Sequence, residues 1–207
     1  MARPRKVGDE RIYEAALGVM QRRGPAEWTL ADVAAEVGLT AGALVQRFGS
    51  KRALQLELIA RYADAAGGMY AALRRAHRSP LAAVRAYARQ VACLAETPEG
   101  FAHHLDYLRL DLTDPEMHEH FRRQAEAVRG FLRQALEDAV AAGELRANTD
   151  TAVLSRMVET TITGALFTWA TYREGSAAKW VLEDINRVLA GHLREKRARR
   201  GVRRRGR

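Results

Sequence analysis

Residues 29–48, TLADVAAEVGLTAGALVQRF, decide the fold. Thr29 with Asp32 three residues later has the spacing of a capping box, in which each side chain satisfies an orphan amide at a helix start. A helix is therefore expected from Leu30. Leu30, Val33, Ala34 and Val37 recur at i, i+3, i+4 and i+7 as one apolar stripe, and Gly38 stands where a left-handed residue ends a helix. Thr40 caps a second helix, whose Ala41, Leu44, Val45 and Phe48 are expected to face inward, leaving Gly42, Ala43, Gln46 and Arg47 outward. Two short helices about a glycine turn make the helix-turn-helix pattern.

Outward from this unit the chain reads as helices throughout. Ile12, Ala15, Ala16 and Val19 mark a first helix, which Gly24-Pro25 is expected to stop. Ser50 caps a long helix from Lys51 to about His77, and Ser79-Pro80 opens another to about Glu96. Thr97-Pro98-Glu99-Gly100 then reads as a break, followed by a short helix from Phe101 to about Leu110. Asp114-Pro115 begins a helix through Ala142, and Asn148-Thr149-Asp150 begins one from Thr151 to Arg173. Residues 160–172 of that helix, TTITGALFTWATY, carry no charge. A helix apolar on most sides is buried on most sides, and thirteen residues are too few to cross a bilayer, so its partner must be protein. The last helix follows Gly175-Ser176 and is expected to run to Leu193, with Ala178, Val181, Leu182, Ile185, Val188, Leu189 and His192 to Leu193 at near-heptad spacing.

At 207 residues and 47% apolar composition the chain has ample material for a core. It holds no apolar run long enough for a membrane span and no signal-peptide pattern at its start, which points to the cytoplasm. Cys93 is the sole cysteine, so no intrachain disulfide forms. The net charge of +9 is concentrated at the ends. Residues 194–207 hold nine Arg/Lys against one Glu, and Arg3, Arg5 and Lys6 stand at the front. Like charges in blocks repel, so neither end is expected to fold alone; the tail is either a solvated end or a weak, sequence-independent nucleic-acid binder.

Positions 40–54, TAGALVQRFGSKRAL, resemble the signature of the tetracycline-repressor (TetR/AcrR) family of transcriptional regulators through Thr40, Gly42, Leu44, Phe48, Ser50, Lys51 and Leu54. The resemblance extends over roughly residues 9–60. It implies an all-α homodimer: an N-terminal helix-turn-helix DNA-binding domain over residues 1–52, a larger C-terminal helical ligand-binding and dimerisation domain over 53–193 joined through the fourth helix, and a basic tail over 194–207. It also implies a double-stranded DNA operator and a small-molecule effector as partners, with no cofactor, no catalysis and no membrane. One position departs. Val45 stands where the family usually has a tyrosine whose hydroxyl touches a DNA phosphate.

On this reading the DNA-binding residues are Thr29, Thr40, Ala41, Gly42, Ala43, Val45, Gln46, Arg47 and Lys51, with Arg3, Arg5 and Lys6 as an arm that reaches DNA or stays solvated. Gln46 and Arg47 are the base-edge candidates, because Gln pairs with adenine and Arg with guanine through two hydrogen bonds in the major groove; Ala41 and Ala43 suit a thymine methyl. Lys51, Thr29 and Thr40 would hold phosphates. Phe101, His104, Tyr107 and Leu108, with Phe167, Trp169 and Tyr172, are expected to line an apolar effector pocket, and core packing explains the same residues. Leu154, Met157, Val158, Thr161, Ile162, Ala165, Val181, Leu182, Ile185, Val188 and Leu189 are expected at the dimer interface.

Two other readings compete. In one, the basic tail makes a non-specific nucleic-acid-binding module. In the other, a metal-dependent enzyme uses the cluster from His103 to His120, which holds four of the six histidines. Neighbours such as His103 and His104 diverge by about 100° around a helix, poorly placed for one metal. No nucleophile elbow, phosphate loop or HExxH motif accompanies them.

Overall fold

The computed structural model describes residues 7–93 and 97–194, and these form nine α-helices: α1 (Asp9–Glu27), α2 (Leu30–Val37), α3 (Ala41–Phe48), α4 (Lys51–Ala76), α5 (Pro80–Cys93), α6 (Pro98–Thr113), α7 (Pro115–Ala141), α8 (Thr151–Tyr172) and α9 (Ala177–Ala190). The expected all-α class is observed. The helix starts follow the cap chemistry. Thr29, Thr40, Ser50, Thr97, Asp114, Asp150 and Ser176 each accept a hydrogen bond from a backbone amide of the first turn that follows.

Three boundaries differ from expectation. Thr97-Pro98 is not a break but the cap and first residue of α6, the arrangement also seen at Asp114-Pro115. Gly24 does interrupt α1, with φ 71° and ψ 172°, yet Pro25–Glu27 resume one helical turn beyond the kink. α9 ends at Ala190, earlier than Leu193, whose backbone instead forms an isolated antiparallel bridge with Leu145. Residues 94–96, where α5 was expected to finish, lie outside the described residues, as do Arg3, Arg5, Lys6 and residues 195–207 of the tail.

The buried side chains fall into two clusters. The first joins α1, α2 and α3 to the start of α4 through Ile12, Val19, Trp28, Val33, Leu44, Leu54 and Leu58. The second fills the space between α5, α7, α8 and α9 with Leu132, Leu136, Leu154, Val158, Val181, Ile185 and Leu189, all without accessible surface. The first core thus reaches into α4 beyond residue 52, through Leu54 and Leu58. α4 is the shared element. It gives Leu54 and Leu58 to one core, while Tyr70 and Leu73 pack on the other.

Candidate nucleic-acid interface

The reading unit is built from its caps. Thr29 Oγ1 accepts from the Asp32 amide at 3.2 Å while the Asp32 carboxylate accepts from the Thr29 amide at 2.8 Å. The hydrogen bond from the Thr29 hydroxyl holds the Asp32 carboxyl below its ordinary pKa, so the cap is charged at neutral pH. Gly38, at φ 69° and ψ 31°, closes α2 in the left-handed conformation and turns the chain by two residues into Thr40, whose Oγ1 accepts from the Ala43 amide at 3.1 Å. Leu44 is fully buried beneath α3, and Ala41, Ala43 and Phe48 are half-buried.

The outer face of α3 consists of Gly42, Val45, Gln46 and Arg47. Val45 does not face inward as expected; it is 48% exposed. The buried side of so short a helix is only as wide as Leu44 and Phe48, four residues apart, and Val45 lies about 100° from Leu44. Arg47 is on the outer face but engaged: Nη1 donates to the Val7 carbonyl at 2.8 Å and Nε lies 2.5 Å from the Asp9 carboxylate. It clasps α3 to the start of α1.

Lys51 is placed differently from a phosphate anchor. Its Nζ donates to the carbonyls of Pro25 at 2.9 Å and Ala26 at 3.4 Å and sits 4.8 Å from the Trp28 ring centre. Burial lowers its pKa. The carbonyls it meets are those left without amide partners where α1 ends, and the contact with the indole face adds a cation–π attraction. Trp28 is the residue sequence reasoning missed. It is completely buried, as is Val33 in the same cluster, and these occupy the N′ and N4 positions of a hydrophobic staple at the start of α2. An aromatic residue directly before a capping box was the available signal.

The residues expected to form one effector pocket separate into three environments. Phe101 and Trp169 are core residues. Phe167 and Tyr172 point outward and are more than half exposed. His104 and Tyr107 line a cavity between α1 and α6, with half-buried Leu108 on the same helix. The expected dimer stripe divides as well. Leu154, Val158, Ile162, Ala165, Val181, Ile185 and Leu189 are buried inside their own chain, Thr161, Leu182 and Val188 are half-buried, and only Met157 is exposed. Periodicity identifies an apolar stripe but not whether its partner is the same chain or another. A second side of α8 carries the exposed apolar groups: Val153, Met157, Gly164 and Phe167, spaced i, i+4, i+11 and i+14.

The acidic and histidine residues between 103 and 120 disperse to separate partners. His103 Nδ1 meets the Gln21 carbonyl at 3.2 Å, Asp114 and Glu116 both pair with Arg52, and Glu119 pairs with Arg122. Among the described residues no three His, Cys, Asp or Glu side chains converge on a point that would hold a metal ion. Nor is any helix of the described residues long and apolar enough to cross a membrane.

Two sequence families match this architecture: "Bacterial regulatory proteins, tetR family" over residues 12–67, and "Tetracyclin repressor-like, C-terminal domain" over residues 109–185. The chain belongs to the tetR family. It is a DNA-binding transcriptional regulator. Solved structures of similar fold include a TetR transcription regulator from Haloarcula marismortui, with a TM-score of 0.72 and 16% identity over 89% of this chain and 97% of that one. SmeT, the repressor of the Stenotrophomonas maltophilia multidrug efflux pump SmeDEF, aligns with a TM-score of 0.64 and 21% identity over 92% of each chain. FadR from Bacillus subtilis, solved with stearoyl-CoA, aligns with a TM-score of 0.67 and 15% identity over 89% of this chain and 99% of that one. Comparison with curated proteins returned no match.

The geometry of Lys51 gives a test. Lys51→Met, which keeps the aliphatic stem over Trp28 and removes the donor, is expected to destabilise the protein by about 1–2 kcal/mol in denaturant titration. It should leave the slope of DNA affinity against salt unchanged. A slope reduced by about one, with stability intact, would instead make Lys51 a phosphate contact.

Proposed function

We propose that the protein is a homodimeric repressor that acts in the cytoplasm, binds a pseudo-palindromic operator and is released by a small apolar or aromatic effector. The observation that carries this reading is the outer face of α3, a capped helix fixed on the first core and exposed at Gly42, Val45 and Gln46. An eight-residue helix spans few base pairs, and a mismatch costs roughly 1–3 kcal/mol, so one copy is a poor genomic address and two copies are a good one. Twofold symmetry then requires inverted half-sites about one helical turn apart or slightly more.

With Arg47 clasped to α1, the groups left to meet base edges are Gln46, which pairs with adenine, and the methyls of Val45, which suit the thymine C5-methyl. Gly42 admits close approach of backbone to DNA. The half-site positions under α3 are therefore A·T pairs. Phosphate contacts fall to the Thr29 and Thr40 region and to the basic arm of Arg3, Arg5 and Lys6.

The dimer reading rests on the outward side of α8. Met157 is 43% and Phe167 60% exposed, and residues 160–172 around Phe167 carry no charge; an exposed apolar face of this kind is normally covered. A second copy in twofold symmetry covers it with itself. For the effector, FadR from Bacillus subtilis, a neighbour in fold, was solved with stearoyl-CoA, whose acyl chain is apolar and whose coenzyme A group is anionic; the acyl chain alone parallels the class proposed here.

Selection of bound duplexes from random sequence should yield an inverted repeat with A·T pairs at its α3-facing positions, and replacing those thymines by uracil should weaken binding. Enrichment without a palindrome would instead support the non-specific module. Phe167→Glu is expected to weaken self-association by roughly thirtyfold, about 2 kcal/mol, in sedimentation equilibrium; an unchanged dimer would move the interface elsewhere.

A further inference from the structure

A solvent-open cavity of about 570 Å³ lies at the seam between α1 and α6, beside the end of α5, within the size range of small-molecule sites. Its apolar wall is Leu17 and Met20 of α1 with the Tyr107 ring of α6, and its polar groups include Gln21, His103 and His104. His104 keeps exposed surface, but desolvation by the side chains packed around its ring pushes the imidazole below its ordinary pKa and favours the neutral form, which offers one donor and one acceptor. The charges at the edge are already paired, Arg22 with Glu36 and Glu99 with Arg173. Nothing in this lining calls for a charged ligand. By contrast, a second concavity among the described residues, about 420 Å³ between α4 and α7 beside Tyr70, Gly130 and Phe131, touches neither α1 nor α6.

Few polar ties cross the seam. His103 meets the Gln21 carbonyl at 3.2 Å, the Tyr107 hydroxyl reaches the Met20 carbonyl at a long 3.4 Å, and Gly24 lies against the His103 ring so closely that a Cβ would come within 3.0 Å of it. α1 carries any displacement onward. Its Tyr13 packs edge-on against Phe48 of α3 with ring centres 5.8 Å apart, and its Asp9 and Val7 carbonyl hold Arg47.

We propose that the α1–α6 seam cavity binds an uncharged, mainly apolar small molecule with one or two hydrogen-bonding groups, and that this occupant is the effector that shifts α1 and with it α3. The binding half of the proposal stands alone; the coupling half rests on the repressor reading. An occupant that hydrogen-bonds His103 or the Gln21 carbonyl competes with the weak tie between them, so it favours an arrangement in which α1 and α6 stand further apart. Its differential affinity for the two arrangements is the coupling energy.

The native Cys93 is the chain's only cysteine, is exposed and lies in the lining, which makes it a reporter. With the full chain and the neutral dye Nile red as probe, saturating dye should slow the reaction of Cys93 with dithionitrobenzoate about tenfold and lower affinity for the selected operator by a similar factor. His104→Trp, which fills the cavity from an exposed position, should abolish dye binding, and Gly130→Leu, which fills the α4–α7 groove, should leave it intact. Unchanged Cys93 reactivity in wild-type protein at saturating dye, absence of dye binding, or loss of binding in Gly130→Leu alone would overturn the site. Protection of Cys93 with unchanged operator affinity would overturn the coupling. Failure of the selection to yield any operator counts against the repressor reading and leaves the thiol and variant results to decide the site.

Discussion

The reading head depends on one buried ring. Trp28 sits between the kinked end of α1 and the cap of α2, wholly inside the first core, with the Lys51 ammonium above its face. The kink at Gly24 leaves carbonyls unpaired at the end of α1, and Lys51 supplies donors to two of them. A single lysine at the start of α4 therefore fixes where α1 stops and where α2 begins. The indole N–H has no acceptor, so the ring is retained for its shape and its π face rather than its hydrogen bond.

From this stitch the constraints run outward along α1 and α4. Arg61 of α4 lies 4.4 Å from the Tyr13 ring centre and also pairs with Glu10, while the Tyr13 hydroxyl donates to Glu57; burial pushes the Tyr13 pKa up to about 12. Next to Lys51, Arg52 reaches the other way, pairing with Asp114 and Glu116 at the start of α7. The hydrogen bond from Arg52 holds the Asp114 carboxyl below its usual pKa, and the same carboxylate caps α7. Exposed ion pairs add little stability individually, roughly 0–1 kcal/mol each. Their importance is geometric: adjacent residues at the head of α4 tie it to the end of α1 and to the second core, so the orientation of α4 and that of α3 are not independent.

Local chemistry was legible in the sequence and long-range partnership was not. The capping box at Thr29, the left-handed Gly38 and the Thr40 cap were readable because each involves residues within four positions of one another. The uncharged run of α8 was readable as a packing element for the same reason. The intrachain contacts of Arg47 and Lys51 were not legible because their partners, Asp9 and the Pro25 and Ala26 carbonyls, lie far along the chain. A basic side chain on a reading helix looks free until the fold supplies an acceptor. Most of the α8 and α9 stripe packs inside its own chain, which periodicity does not reveal, because it marks which side is apolar and not what covers it. Phe101, Trp169 and Phe167 were grouped as a pocket on composition, whereas the fold separates them into core and surface.

The arrangement makes α3 a rigid, nearly uncharged probe whose free groups are Gly42, Val45 and Gln46. Its most direct test is nuclear magnetic resonance of the labelled chain titrated with its selected duplex. The largest amide and methyl shifts are predicted at Gly42, Val45 and Gln46, with the Arg47 guanidinium resonance still reporting its contact with Asp9. Shifts confined to the chain termini, with α3 unmoved, would contradict the account.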